Sequence, residues 1–143
     1  MRLRPILVVE DSDEDFETVQ DAARQSGMQN PVLRARSGDE CLQLLQMWRT
    51  GMRSSDMLPL LVLLDLNTPC SDSRDVLGEV RRDELLGSLP VVVLSASASP
   101  RDLQFCYANG ANAYHVKPVI YSMHLKVIQE IFNYWLGSAV LPG

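Results

Sequence analysis

No apolar run in the 143 residues approaches the roughly 18–20 needed to span a bilayer, which excludes an ordinary membrane helix. The N-terminus, MRLRPILVVED, has two arginines but too short an apolar stretch before its first acid to be a secretory signal. Cysteines are few. Cys41, Cys70 and Cys106 are odd in number, lack metal-ligand spacing, and suit small core or loop positions in a reducing cytoplasm. There is no excess of basic charge. The formal net charge of −5 argues against DNA or anionic-membrane binding driven by net charge. Internal repeats, low-complexity tracts and interdomain linkers are also missing, which leaves one domain over residues 1–143 with a short tail at about 137–143.

What is present is an alternation of two patterns. Short apolar runs rich in β-branched residues occur at ILVV (6–9), VLRA (32–35), LLVLL (60–64), VVVL (91–94) and AYHV (113–116), each bounded by Pro, Gly, Asp or Ser. Segments of helical period separate them. Phe16, Val19, Ala23 and Ser26 share one face, and Gly27 is a suitable stop. Ser37 and Glu40 read as a capping box before a helix whose core face is Cys41, Leu44, Leu45 and Trp48. Val76, Leu77 and Val80 mark a third helix, and Leu103, Cys106 and Tyr107 a fourth, after Pro100. The segment from Met123 to Leu136 is the fifth. Arg49 to Pro59 reads as a polar surface loop. Continuous apolar strands alternating with amphipathic helices predict an α/β fold, a doubly wound five-stranded parallel sheet covered on both faces.

In such sheets ligands sit outside the carboxyl ends of the strands. Glu10 and Asp11 follow the first predicted strand, Asp65 the third, Ser95 the fourth, and Lys117-Pro118 the fifth. Three carboxylates so placed repel one another and call for a cation. A hard divalent ion such as Mg²⁺ fits oxygen ligands of this kind, and Lys117 adds a point charge for an oxyanion. The site reads as a seat for a phosphoryl group, with Asp65 on the central strand as nucleophile and its carboxylate facing water.

The motifs VVED (8–11), LLDLNTP (63–69), VVLSAS (92–97) and GANAYHVKP (110–118), in this order and spacing, resemble the receiver domains of two-component response regulators. The resemblance implies the flavodoxin-like (βα)5 fold and a role for each matching residue. Asp65 is the phosphoacceptor. Asp11 and Glu10 hold Mg²⁺, together with Asp65 and the backbone carbonyl of Asn67. Ser95 bonds the phosphoryl group, Lys117 pairs with it, and Tyr114 is an aromatic switch that turns inward on phosphorylation. It also implies a cis Lys117-Pro118 bond. Ser73 stands where a glycine usually precedes the third helix, and Thr68 and Ser71 replace bulkier residues.

The long loop before the third strand and the tail FNYWLGSAVLP resemble single-domain regulators that partner phytochrome histidine kinases. The chain ends soon after the fifth helix, so output is expected through protein contact, not through DNA or enzymatic activity. An intermediate that relays phosphate to a histidine phosphotransfer protein is a second reading. A haloacid-dehalogenase-type phosphatase is a third, disfavoured because Asn67 stands where its acid/base Asp would be. A flavodoxin-like cofactor binder would need a phosphate loop after the first strand, which is lacking. The apolar arc of the fifth helix, about 220° wide from Met123 to Leu136, exceeds what one sheet face covers. That excess predicts a homodimer through helix four, strand five and helix five.

Overall fold

The structure, a computed structural model, describes residues 3–50, 58–66 and 69–141, with only the backbone of 69–74. Five strands alternate with five helices: β1 (Ile6–Val9), α1 (Asp13–Gln25), β2 (Val32–Ala35), α2 (Gly38–Arg49), β3 (Leu61–Leu66), α3 (Pro69–Arg82), β4 (Val91–Ser95), α4 (Pro100–Ala108), β5 (Ala113–Val116) and α5 (Tyr121–Asn133). A π-helical turn, Tyr134–Ser138, continues α5. The strands form one parallel sheet in the order β2-β1-β3-β4-β5, the doubly wound topology expected. Among the described residues no helix is long and apolar enough to cross a membrane.

Strand periodicity divides the core in two. Ile6, Val8, Leu61, Leu63, Val92 and Leu94 face one side and pack with Val19 and Ala22 of α1 and Ile128, Ile131 and Phe132 of α5. Leu7, Val9, Val62, Leu64, Val91 and Val93 face the other, with Leu45 and Trp48 of α2, Leu77 and Val80 of α3, and Cys106 of α4. Cys41 and Cys106 are buried, as small core positions. For Cys41, burial pushes the thiol up to about 12.

Local signals set the helix ends. Ser12 caps α1 by accepting from the Asp15 N–H at 3.2 Å, and Ser37 caps α2 by accepting from the Glu40 N–H at 3.1 Å. Past α1, Gly27 takes φ 70°, and the next N–H, from Met28, returns to the Ala23 carbonyl at 3.1 Å.

Several expectations are corrected. β3 runs two residues beyond Leu64, because the ladder with β4 continues through the pairs Asp65–Leu94 and Leu66–Ser95. Asp65 and Ser95 therefore lie inside strands, where their backbones are held by hydrogen bonds. α3 starts at Pro69, so Ser73 is within the helix and does not precede it. Tyr107 is not core: it is 49% exposed, and its hydroxyl accepts from the Tyr114 N–H at 3.0 Å. The Lys117-Pro118 bond is not cis, for the described residues contain no cis peptide. Residues 51–57 of the predicted surface loop lie outside the described residues.

The α5 arc is also narrower than predicted. Leu125, Val127, Trp135 and Leu136 pack against the α1–α5 core, because α1 covers a flank of α5 that a single sheet face would leave open. Of the nine apolar residues in the arc, Met123 and Tyr134 are more than half exposed, at 54% and 55%. The apolar excess lies at the start of the helix instead, in Val119, Ile120 and Tyr121, beside Val116 of β5. Among the described residues nothing covers Val119, and Val140 of the tail is likewise exposed.

Candidate functional site

Strand parity builds the site. Glu10 continues the series Ile6, Val8; Asp65 continues Leu61, Leu63; Lys117 continues Ala113, His115. All three fall on the α1–α5 side of the sheet at its carboxyl edge. The ladder extends to hold them there: the Glu10 N–H donates to Ala35 O at 2.9 Å and the Lys117 N–H to Ser95 O at 2.6 Å.

The three side chains meet. Lys117 Nζ lies 2.6 Å from Asp65 Oδ1, 3.2 Å from Glu10 Oε1 and 2.9 Å from Asp15 Oδ2. Glu10 and Asp65 are fully buried and Lys117 nearly so. Asp65 does not face water, as the sequence suggested it would, because the ammonium and the surrounding strands close over it. Lys117 adds its positive charge to the cluster at close range. Burial alone would lower its proton affinity. Its contacts with Asp65, Asp15 and Glu10 outweigh that and hold it above the ordinary lysine value, so it is a cation at neutral pH.

Glu10 responds in the opposite sense. Burial and the charge of Asp65 push its carboxyl up from 4.5 to about 8, against the lowering influence of the Ser12 N–H and Lys117. The Ser12 N–H donates to Glu10 Oε2 at 2.9 Å, which ties the carboxylate to the first turn of α1. Asp11 is exposed beside it.

Three neighbours escaped sequence reasoning. Asp15, in the first turn of α1, completes the cage around Lys117. Arg34 of β2 donates from Nε to the Glu10 carbonyl at 3.0 Å and from Nη1 to Asp13 at 2.7 Å, and stacks its guanidinium 4.8 Å over the Phe16 ring. It holds the β1–α1 turn in place. His124, in the first turn of α5, is buried with Nε2 3.8 Å from Asp65 Oδ2. Its signal was visible: His124 is four, seven and eight residues before Ile128, Ile131 and Phe132, on the buried face of α5.

Ser95 belongs to the opposite parity, with Val91 and Val93, and is fully buried beside Leu66. Its hydroxyl accepts from the Ser97 N–H at 3.1 Å. Tyr114 is half-buried against the α2–α4 core, and its hydroxyl donates to the Ser97 carbonyl at 2.8 Å. It is thus tied to the β4–α4 turn. Asn67 lies outside the described residues.

Does this donor set suit a divalent cation? Among the described residues neither Asp65 oxygen has an aligned hydrogen-bond donor, though both are buried, and the Glu10 carboxyl resists ionisation beside them. Anionic oxygens left in this condition suit a hard cation. Among the described residues no three His, Cys, Asp or Glu side chains are gathered tightly enough to hold an ion alone. The set fits an ion that draws on backbone oxygen and water as well.

Residues 6–129 match the response regulator receiver domain family. Over 138 residues the chain is 37% identical to the "Probable methanogenesis regulatory protein FilR2" of Methanothrix harundinacea, covering 96% of this chain and 87% of that one. It is 34% identical to the response regulator Rcp1 of Synechocystis sp., covering 96% and 92%. A Mn²⁺-bound form of response regulator Rcp1 superposes with a TM-score of 0.85 over 98% of this chain and 99% of that one. The phosphorylated cyanobacterial phytochrome response regulator RcpA, 34% identical, superposes with a TM-score of 0.86 over 99% of both chains. With its fold, its carboxyl-edge cluster and these likenesses in agreement, the chain belongs to the response regulator receiver domain family.

Proposed function

We propose that the protein receives a phosphoryl group on Asp65 from a sensor histidine kinase of the phytochrome class and signals by protein contact. The observation that carries this reading is Asp65 itself: a buried carboxylate near the end of the central strand, its oxygens lacking aligned donors, 2.6 Å from a lysine ammonium. Phosphoryl transfer asks the protein for positioning and electrostatics above all. The β3–β4 ladder supplies the first. Lys117 supplies the second, and would move with the phosphoryl oxygens when Asp65 turns toward the donor. Glu10, Asp11, Asp65 and the Asn67 carbonyl would hold Mg²⁺, which when bound neutralises charge on the transferring group. Ser95, one residue beyond Asp65 on the neighbouring strand, would bond a phosphoryl oxygen. The likeness to RcpA, a phytochrome response regulator, supports the choice of kinase.

Output fits the face made by α4, β5 and the start of α5. Val116, Val119, Ile120 and Met123 are exposed there, with Tyr107 of α4. Exposed apolar side chains on this face suit a two-fold homodimer.

Incubation with acetyl phosphate and Mg²⁺, read by intact mass, should add one phosphoryl group that Asp65→Asn abolishes and a chelator suppresses. An adduct that persists in Asp65→Asn overturns the assignment. A panel of purified kinases, in which phytochrome kinases transfer no faster than unrelated ones, overturns the partnership alone.

A further inference from the structure

We propose that His124 is a positioning residue that shortens the life of the phosphoryl group by stabilising the Asp65 carboxylate as it departs. This rests on Asp65 as phosphoacceptor. The buried face of α5 consists of His124, Ile128, Ile131 and Phe132, three of them apolar. The exception stands where that face reaches the carboxyl edge of β3. An unpartnered imidazole nitrogen in such a place costs stability, and His124 Nε2 is unpartnered, as is Asp65 Oδ2 opposite it. Their separation of 3.8 Å is too long for a hydrogen bond and short enough for one to form by a small rotation of either side chain.

The two Asp65 oxygens have different surroundings. Oδ1 meets the Lys117 ammonium; Oδ2 faces α5 and His124. With one oxygen carrying phosphorus, the other is the carbonyl oxygen of an acyl phosphate, a weak neutral acceptor. In hydrolysis, water attacks phosphorus and the P–O bond to Asp65 breaks. The carboxylate keeps the electron pair, and both protons of the water stay on inorganic phosphate. Negative charge then spreads onto the oxygen facing His124. A neutral imidazole with its proton on Nε2 suffices as donor. Hydrogen bonds to charged acceptors are stronger than those to neutral ones by enough to change a rate roughly threefold to tenfold. The same donor favours transfer off Asp65 and opposes accumulation on it.

His124→Leu removes the donor and keeps an apolar side chain suited to the core. His124→Gln retains an N–H at similar reach. Each is phosphorylated with acetyl phosphate and Mg²⁺, freed of donor, and followed by intact mass. We expect His124→Leu to retain phosphate several-fold longer than wild type, and His124→Gln to decay near the wild-type rate. Should His124→Leu fail to fold, as judged by thermal melting, His124→Met takes its place. A lifetime within twofold of wild type in the apolar variant overturns the proposal. So does a glutamine variant that decays like the apolar one, since a packing role would move the two together. If wild type forms no adduct, the Asp65 reading fails; an adduct with unchanged decay fails His124 alone.

Discussion

Replacing Glu10 with glutamine should remove a pH dependence of stability whose size follows from the site. The Glu10 carboxyl titrates at about 8 in the folded protein, against 4.5 for an ordinary glutamate. The folded state therefore holds a proton that the unfolded state has released, and stability falls as pH rises toward and through 8. His115 works the other way: burial holds it below 6.5 despite Glu130, so its contribution rises with pH. Above pH 6.5 half or more of any imidazole is already neutral in the unfolded chain, so there His115 adds back less than about half a kcal/mol. The window from pH 6.5 to 8 thus isolates Glu10. Integrating its proton binding across that window gives a loss on the order of 1–2 kcal/mol, or roughly a tenfold rise in the unfolded fraction. Urea unfolding at half-unit intervals, with a chelator throughout, measures it. Wild type should lose between about 1 and 2 kcal/mol, and Glu10→Gln should stay level or rise slightly. A wild type that is level over this window, or a variant that falls in parallel, refutes the argument.

Arg81 donates to the carbonyls of Gly87, Leu89 and Gly110 and to the Asn112 side chain, locking the β4 and β5 approaches together. Arg81→Ala should cost about 2–4 kcal/mol in urea unfolding, since several carbonyls lose a charged donor, and should leave the phosphorylation rate of the folded protein unchanged. Ile120→Glu places a charge on the exposed apolar face and, in a two-fold dimer, places it twice. Light scattering should show a dimeric wild type at tens of micromolar and a monomeric variant; a monomeric wild type, with or without phosphate, rules out the dimer.

Much of the architecture was legible because strands and helices announce themselves by period. The five apolar runs all became strands, and Glu10, Asp65 and Lys117, singled out at three strand ends, meet at one edge of the sheet. Strand ends were less legible, since whether Asp65 belongs to β3 depends on its pairing with Leu94 across the sheet. Asp15, Arg34 and His124 were missed for a common reason. Each belongs to an element with an ordinary role of its own, as helix start, strand or helix face, and acquires its second role only through tertiary contact. The α5 arc failed similarly: a periodicity argument counts the face turned to the sheet, while α1 adds cover from the side, a contact stitched by Tyr121 to Asp21 at 2.8 Å and Gln129 to Gln25 at 3.1 Å.

The same parity that gathers the charges separates them from Ser95 and Tyr114, which face the other layer. A connection between the two must pass through the strand ends, and one residue there touches Ser95, Tyr114 and α4. Ser97 donates its N–H to the Ser95 hydroxyl at 3.1 Å, accepts the Tyr114 hydroxyl on its carbonyl at 2.8 Å, and donates its own hydroxyl to Asp102 of α4 at 2.5 Å. If Ser95 moves toward a phosphoryl group, the Ser97 N–H loses its acceptor and the turn must shift. The carbonyl that holds Tyr114 and the hydroxyl that holds α4 belong to the same residue and shift with it. Tyr114 is held by this turn through its hydroxyl. A change available to the output face is therefore a movement of the β4–α4 turn, and with it α4 and the tyrosine that the turn holds. A partner can sense that change only if it binds one turn position better than the other. The exposed apolar residues of β5 and α5 flank the moving element, where a partner could make that distinction.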